Sequence, residues 1–377
     1  MNSNQKKFGI YVFFSTFSRN LIEVFIPVIL YKYGFSLKEI LLYYLLANVI
    51  SLIISYPFVQ ISKKYSNKML AILGIVAFVV LQISLNFITQ SYKYIFLIAT
   101  FFAIYRRGYW ISRRYYNLNV VQDKNIATTY SIISIINQLG IIFSAYLGSI
   151  ILDYINLKLL TIFAILLFLA STIPLFLLDF KHEINNKKIQ LLEIFKNISK
   201  SDVYLFGSYE LVNVIKFLIP VYLFIYVKNT YQTIGIVNLI TNLALIIFTY
   251  LFGKKLDKSK NDYLKISIIL VILTYIFKVN SLGYILLIVS FVEGITLKMY
   301  ELSINKKFYT LSKNFEYTNY NLMYEITQNS FRSIVTLILY LSNFELKTMI
   351  YITLAFIFIG VFLNNKNKLI EKKEKIK

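Results

Sequence analysis

The sequence predicts an all-helical membrane protein of twelve transmembrane helices arranged as two pseudo-symmetric bundles of six. Three observations predict it. First, 58% of the 377 residues are apolar and only 15% are charged, whereas soluble domains carry about 45–50% apolar and about 25% charged residues. At ~20 apolar residues per membrane helix, this composition supplies about twelve. Second, apolar runs separated by polar stretches recur along the chain. Third, the second half of the sequence repeats the first.

The spans follow one another with approximate limits 9–31, 38–61, 69–88, 94–112, 129–152, 159–178, 203–227, 231–253, 264–280, 283–303, 320–341 and 347–364. Span 1 follows Lys6 and Lys7 but is too long for a signal-peptide core and has no small-residue cleavage site. Spans 2 and 3 are separated by the basic run Lys63 to Lys68. Span 4 runs into Arg113-Arg114, and span 6 ends before the one long polar stretch of the interior, 179–202. Spans 7 to 12 repeat this spacing and lead to a basic tail, 365–377, suited to lying on anionic lipid. The expected organisation is therefore an N-terminal six-helix bundle (1–178), a central loop (179–202), a C-terminal six-helix bundle (203–364) and the tail.

Charge orients the spans. The net charge of +22 would suggest nucleic acid in a soluble protein, but here Lys and Arg crowd the loops on the N-terminal side. The opposite loops hold only Lys32, Lys38, Lys93, Lys158, Lys228, Lys278 and Lys347. By the positive-inside rule both termini and the central loop are cytoplasmic, in the cell membrane. There is no Cys and a single His, His182, which removes thiolate chemistry, disulfides and histidine clusters. No phosphate-cradling Gly-rich loop, His-Glu-x-x-His or Gly-x-Ser-x-Gly occurs. The chain is therefore expected to be no enzyme, to need no cofactor or metal, and to act as a monomer without nucleic acid.

A shift of 193 residues aligns Tyr11 with Tyr204, Phe13 with Phe206, Ser15 with Ser208, Asn20 with Asn213, Ile22 with Ile215, Ile26-Pro27-Val28 with Ile219-Pro220-Val221, Leu30 with Leu223 and Tyr33 with Tyr226. That is ten identities in 23 positions, far above what biased composition yields. Pro27 and Pro220 are expected to kink helices 1 and 7.

Two six-helix repeats with cytoplasmic termini resemble the major facilitator superfamily over nearly the whole chain. That family's Gly-x-x-x-Asp-basic-x-Gly-basic loop signature is kept after span 8 at Gly253, Asp257 and Lys258, with Lys260 at the second Gly. After span 2, Lys63 to Lys68 keep only its basic character. In span 5, Gly140-x-x-x-Ser144-Ala145-x-x-Gly148-Ser149 is similar to an exporter pattern of the family, although small residues at this spacing serve close helix packing in any membrane protein. The resemblance implies a secondary transporter that moves a small organic solute by alternating access, with helices 1, 4, 7 and 10 lining the cavity and every third helix facing lipid. A non-transporting relative, such as a lipid scramblase or a sensor, is the alternative.

Buried charge marks the candidate pathway, since each charged residue costs ~2.5–3.5 kcal/mol at a helix centre. Such residues occur in spans 1, 4, 7, 10 and 11, while the interiors of spans 3, 6, 9 and 12 lack them. Spacing of i, i+3, i+4 and i+7 puts Thr16, Arg19, Asn20 and Glu23 on one face of span 1, and Tyr209, Asn213 and Lys216 on one face of span 7. Span 4 offers Arg106, Tyr109, Trp110 and Arg113, with snorkelling to the headgroups an alternative for the arginines. Span 11 offers Glu325, Gln328, Asn329 and Arg332. Glu293 in span 10 has no basic residue one turn away towards the membrane centre, although Lys298 lies five on. It is the expected proton-coupling carboxylate, with Glu325 next. The repeat places Glu23 on Lys216, so these two are expected to pair across the cavity, with Arg19 as the local alternative partner of Glu23.

Overall fold

The structure is a computed structural model that describes residues 3–120, 126–178, 195, 198–258, 263–312 and 317–374. Among the described residues twelve helices succeed one another: α1 Ser3–Lys32, α2 Leu37–Lys64, α3 Asn67–Ser84, α4 Tyr92–Val120, α5 Ile126–Tyr154, α6 Leu157–Phe176, α7 Lys200–Tyr226, α8 Tyr231–Lys258, α9 Leu264–Val279, α10 Gly283–Ser312, α11 Tyr317–Leu341 and α12 Leu346–Glu374. No strand occurs among them. Each helix covers one expected apolar run. α4, α10 and α12 continue well past theirs, because helix formation does not stop where hydropathy falls.

Seven of these helices (α1, α2, α3, α5, α6, α7 and α8) are long and apolar enough to cross a membrane on length and composition, and α12 contributes the shorter apolar stretch Leu346–Gly360. The other helices are set apart by length or by charge. α9 has 16 residues, and α4, α10 and α11 carry charged side chains in mid-helix.

Turns and caps follow from local sequence. Ser36 and Glu39 form a reciprocal capping box at the start of α2. Ser66 accepts from the Met69 amide at 3.0 Å to open α3, while Ser62 donates to Asn67 at 2.6 Å across the same turn. The basic run Lys63 to Lys68 thus forms a capped, tight corner. At the end of α6 the side chains of Lys7 and Lys68 donate to the Leu177 and Phe176 carbonyls at 2.8 and 3.0 Å, satisfying orphan acceptors of a helix C-terminus.

The two repeat prolines behave differently. α1 is interrupted: its first stretch ends at Asn20, a 3-10 turn covers Glu23–Phe25, and helix resumes at Ile26 with Pro27 in the first turn. Pro27 lacks an amide, so it fits the start of a new segment. α7 stays a single helix through Pro220.

Helix contacts repeat with a period of six. In the first half α3 packs on α4, α2 on α4, and α1 on α5 and α6. In the second half α9 packs on α10, α8 on α10, and α7 on α11 and α12. Between the halves the principal contacts are α5 with α8 and α2 with α11, which are again equivalent. Small residues permit the tightest approaches. A Cβ on Gly108 would stand 2.7 Å from the Leu70 carbonyl and 2.8 Å from the Gly74 Cα, so α3 and α4 touch backbone to backbone. In α5, Gly140 faces the α1 backbone near Phe13 and Phe17, Gly148 faces the Leu21 carbonyl at the α1 break, and Ala145 and Ser149 receive Gly235 of α8. The small-residue pattern of span 5 is therefore a packing surface on both sides.

At the far end from Ser3, Asp153 of α5 accepts from the Tyr231 and Gln232 amides at 3.1 and 2.7 Å, capping the N-terminus of α8 across the halves.

Gly108→Val is expected to lower stability by about 1–3 kcal/mol through overpacking, read as an earlier melting transition of the detergent-solubilised protein. An unchanged midpoint would mean that α3 and α4 do not meet this closely.

Candidate functional site

The buried charges gather into three groups, part of them on helix faces that the i, i+3 and i+4 spacing anticipates. The first lies within the first half. Arg19 of α1 contacts Glu23 at 3.3 Å, and its guanidinium sits 5.0 Å from the ring centres of both Tyr109 and Trp110 on α4. Arg113, one turn along α4, lies 5.1 Å from Trp110 and 5.5 Å from Tyr109. It donates to the Tyr109 hydroxyl, to Thr16 at 3.3 Å and to Asn137 of α5 at 2.8 Å. Thr16 also donates to Asn137 at 2.8 Å, and the Asn20 amide returns to the Thr16 carbonyl. Arg113 is buried and held in place, so it does not snorkel. Arg106, on the same α4 face as Trp110, is half-buried and stacks over Phe102 at 5.4 Å.

The second group is a continuous polar chain across the halves. Glu210 of α7 is ion-paired to Arg332 of α11 and accepts from Asn213 at 2.6 Å and Gln328 at 2.5 Å. Gln328 then accepts from Arg114 of α4 at 3.4 Å. Arg114 donates to Asn321 at 3.0 Å and pairs with Glu325, which also pairs with Arg107. Arg107 and Glu325 are the deepest of these, with side chains 1% and 0% exposed. Charges this far from water need partners with satisfied hydrogen bonds, because a lone ion costs several kcal/mol. Asn329 turns inward to its own helix, bonding the Glu325 carbonyl at 2.6 Å.

The third group stays in the second half: Glu293 of α10 is paired with Lys278 at the end of α9 and receives Thr241 of α8 at 3.4 Å. Beside it on α10, Lys298 reaches back to the first half, donating to Ser134 of α5 at 2.6 Å while pairing with Glu301 at 3.0 Å.

Several expectations change. Glu23 takes the local partner, Arg19, whereas Lys216 is exposed and has no carboxylate partner among the described residues. No ion pair joins Glu23 and Lys216 among the described residues: Glu23 lies beside Arg19, where the first stretch of α1 gives way to the 3-10 turn. Glu293 is not alone: its partner comes from α9, a helix whose interior was expected to be free of charge. Glu325, the second candidate for coupling, pairs across to α4 with Arg107 and Arg114. Sequence reasoning missed Glu210, Arg107, Arg114, Lys278 and Asn137. For Glu210 a signal existed, since it is a carboxylate inside span 7 placed i, i+3 from Asn213. For Lys278 none did, because it reads as a loop lysine. The side chains of Gly253, Asp257 and Lys258 lie outside the described residues, although α8 runs through them as helix.

The three carboxylates of the central region are thus each engaged by arginine: Glu23 by Arg19, Glu210 by Arg332, and Glu325 by Arg107 and Arg114. Arg332→Met is expected to destabilise the protein by about 3–5 kcal/mol by stranding Glu210, while Glu210→Leu combined with Arg332→Met recovers most of that loss. Thermal unfolding of the single and double variants measures both. A double variant as unstable as the single one would show that the pair is not the origin of the effect.

The fold and the sequence both find known relatives. A family model described as Major Facilitator Superfamily matches residues 8–308. The crystal structure of a point mutant of the nucleoside transporter NupG superposes with a TM-score of 0.71 at 13% identity, covering 97% of this chain and 100% of that one. A bacterial homologue of the iron transporter ferroportin in an outward-facing state gives a TM-score of 0.69 at 13% identity, with 97% and 100% coverage. A structure of a bacterial ferroportin homologue in an outward-facing state with soaked iron gives 0.67 at 12% identity, with 98% and 100% coverage. No curated protein sequence matches the chain. With the family model spanning most of its length and transporters of the same fold superposing on nearly all of it, the chain belongs to the Major Facilitator Superfamily.

Proposed function

We propose that the protein is a secondary transporter that carries a small organic solute across the cell membrane by alternating access, coupled to protons. Residues 1–178 and 203–364 act as two six-helix bundles that rock about a midplane site, with both termini cytoplasmic. The observation that carries this reading is the character of the contacts joining the halves. Nearer the end where α1 begins, they are ionic and polar: Arg107 and Arg114 with Glu325, and Lys298 with Ser134. Towards the other end they are aromatic: Tyr31 with Phe224 at 6.4 Å, Phe25 with Tyr231 at 5.7 Å, and Tyr44 stacked on Phe217 at 4.1 Å. Two separate sets of breakable contacts are what a protein needs to open one side while the other stays shut.

An organic solute fits better than a metal ion such as the one named for the ferroportin homologue. No group of three or more His, Asp or Glu stands together among the described residues, and the central carboxylates are already taken by arginine. In this reading the substrate path runs past Arg19, Trp110, Asn213 and Lys216 of α1, α4 and α7. Glu293 is the coupling carboxylate in this reading: its one cationic partner among the described residues, Lys278, lies in the same half, so protonation breaks a local pair without undoing the tie between halves.

Comparing metabolites of cells with and without the protein identifies the solute, and flux into proteoliposomes tests transport. Saturable solute flux above that of protein-free vesicles is the expected result. Lipid translocation without solute flux would establish a scramblase instead. Glu293→Gln is expected to retain solute exchange but to lose accumulation driven by an imposed pH gradient. Undiminished accumulation would move the coupling role elsewhere.

A further inference from the structure

The central region has more cations than its carboxylates can balance. Glu23, Glu210 and Glu325 are each committed to arginine, while Arg113, Arg106 and Lys216 have no carboxylate partner among the described residues. Arg113 is the most informative of these. It is 5% exposed, its hydrogen bonds go only to the neutral groups of Thr16, Tyr109 and Asn137, and its Nε is buried without a hydrogen-bond partner. On the neighbouring helix, the buried Nε of Arg19 lies 3.3 Å from the Glu23 carboxylate but is not aligned to hydrogen-bond with it. Both guanidiniums stand about one ring-contact distance from Trp110, at 5.0 and 5.1 Å.

Ring faces stabilise a cation by only about 0.5–2 kcal/mol, well short of the several kcal/mol that desolvating it costs. The buried charge of Arg113 is therefore under-compensated by the groups around it. Arginine presents a planar fork matched to carboxylate and phosphate oxygens, and here two forks converge on one indole with a third, Arg106, a turn away.

We propose that the substrate of this transporter is an organic anion, held through a carboxylate or phosphate group by Arg113 and Arg19 beside Trp110. The inference rests on the transport reading for its physiological meaning, but binding itself does not. Asn137 and Thr16 fix the Arg113 fork, Arg106 adds positive potential along the α4 face, and Lys216 stands on the opposing half. Glu23 occupies Arg19 in this structure. An arriving anion competes with Glu23 for that guanidinium and releases it, so substrate binding rearranges the broken segment of α1.

Trp110 is the sole tryptophan of the chain, so tryptophan fluorescence selectively excited at the red edge reports on this site alone. The intact purified protein is titrated with butyrate, glycerol 3-phosphate and inorganic phosphate, and with butyramide, glycerol and butylammonium as neutral and cationic counterparts at matched ionic strength. A saturable emission change with at least one organic anion, absent with its neutral and cationic counterparts, is expected. Arg113→Gln should weaken it at least tenfold, and Arg113→Lys should restore part of it, with melting temperatures confirming that both variants fold. Response to inorganic phosphate alone would overturn an organic substrate. A flat titration with every anion in the wild-type protein, or an equal response in Arg113→Gln, would overturn the proposal while leaving solute flux in vesicles as a separate result. Saturable anion binding without flux would instead remove the transport reading and keep the site.

Discussion

Everything in this structure answers to the cost of placing a charge where there is no water. Arg107 and Glu325 are almost wholly enclosed, and neither could remain there alone. Their pairing makes α4 and α11 neighbours in effect, although these helices belong to different halves. The same constraint draws Arg332 to Glu210 and, through Gln328 and Arg114, welds the two pairs into one chain of hydrogen bonds. The faces of α4, α7 and α11 that meet at the centre are the faces that carry these residues.

Close packing supplies what the ion pairs cannot. Between apolar helices in lipid there is little hydrophobic drive to associate, so contact depends on how near backbones can come. Gly74 and Gly108 let α3 and α4 touch, while Gly140 and Gly148 bring α5 against α1, and Ala145 and Ser149 bring it against α8. α5 therefore carries two close neighbours, one from each half, and the break in α1 lies directly against Gly148. A helix interrupted at a packing site of this kind can shift its outer segment without losing the inner one, which suits the rocking motion proposed for the two halves. The aromatic contacts of Phe25 and Tyr31 with the second half sit on that outer segment.

The polar chain and the Trp110 cluster differ in balance. Along the chain, each carboxylate is paired with arginine, and Glu210 also accepts from the side-chain amides of Asn213 and Gln328, so both carboxylates are committed within the protein. Around Trp110, guanidiniums meet rings, hydroxyls and amide oxygens, with Glu23 the one carboxylate in contact among the described residues. That difference separates a tie that holds the protein together from a place prepared for something else.

Much of the fold was legible in the sequence because hydropathy and helical periodicity are local properties. Twelve apolar runs became twelve helices, the 193-residue repeat reappeared as helix contacts with a period of six, and the stripes of Thr16, Arg19 and Asn20 and of Gln328 and Arg332 lie together as spaced. The family resemblance was readable from the same features. Pairing was not legible, since a stripe states which residues share a face and not which helix that face meets. Glu293 looked solitary because its partner, Lys278, sits fifteen residues away across a turn in what reads as a loop. Glu23 and Lys216 looked like partners because the repeat aligns them, but the repeat is silent about the local pair that Glu23 makes with Arg19. The sequence alone determined most of the helices that would bury charge. Only the tertiary structure decided which charges would neutralise one another, because that depends on distances between helices far apart in the chain.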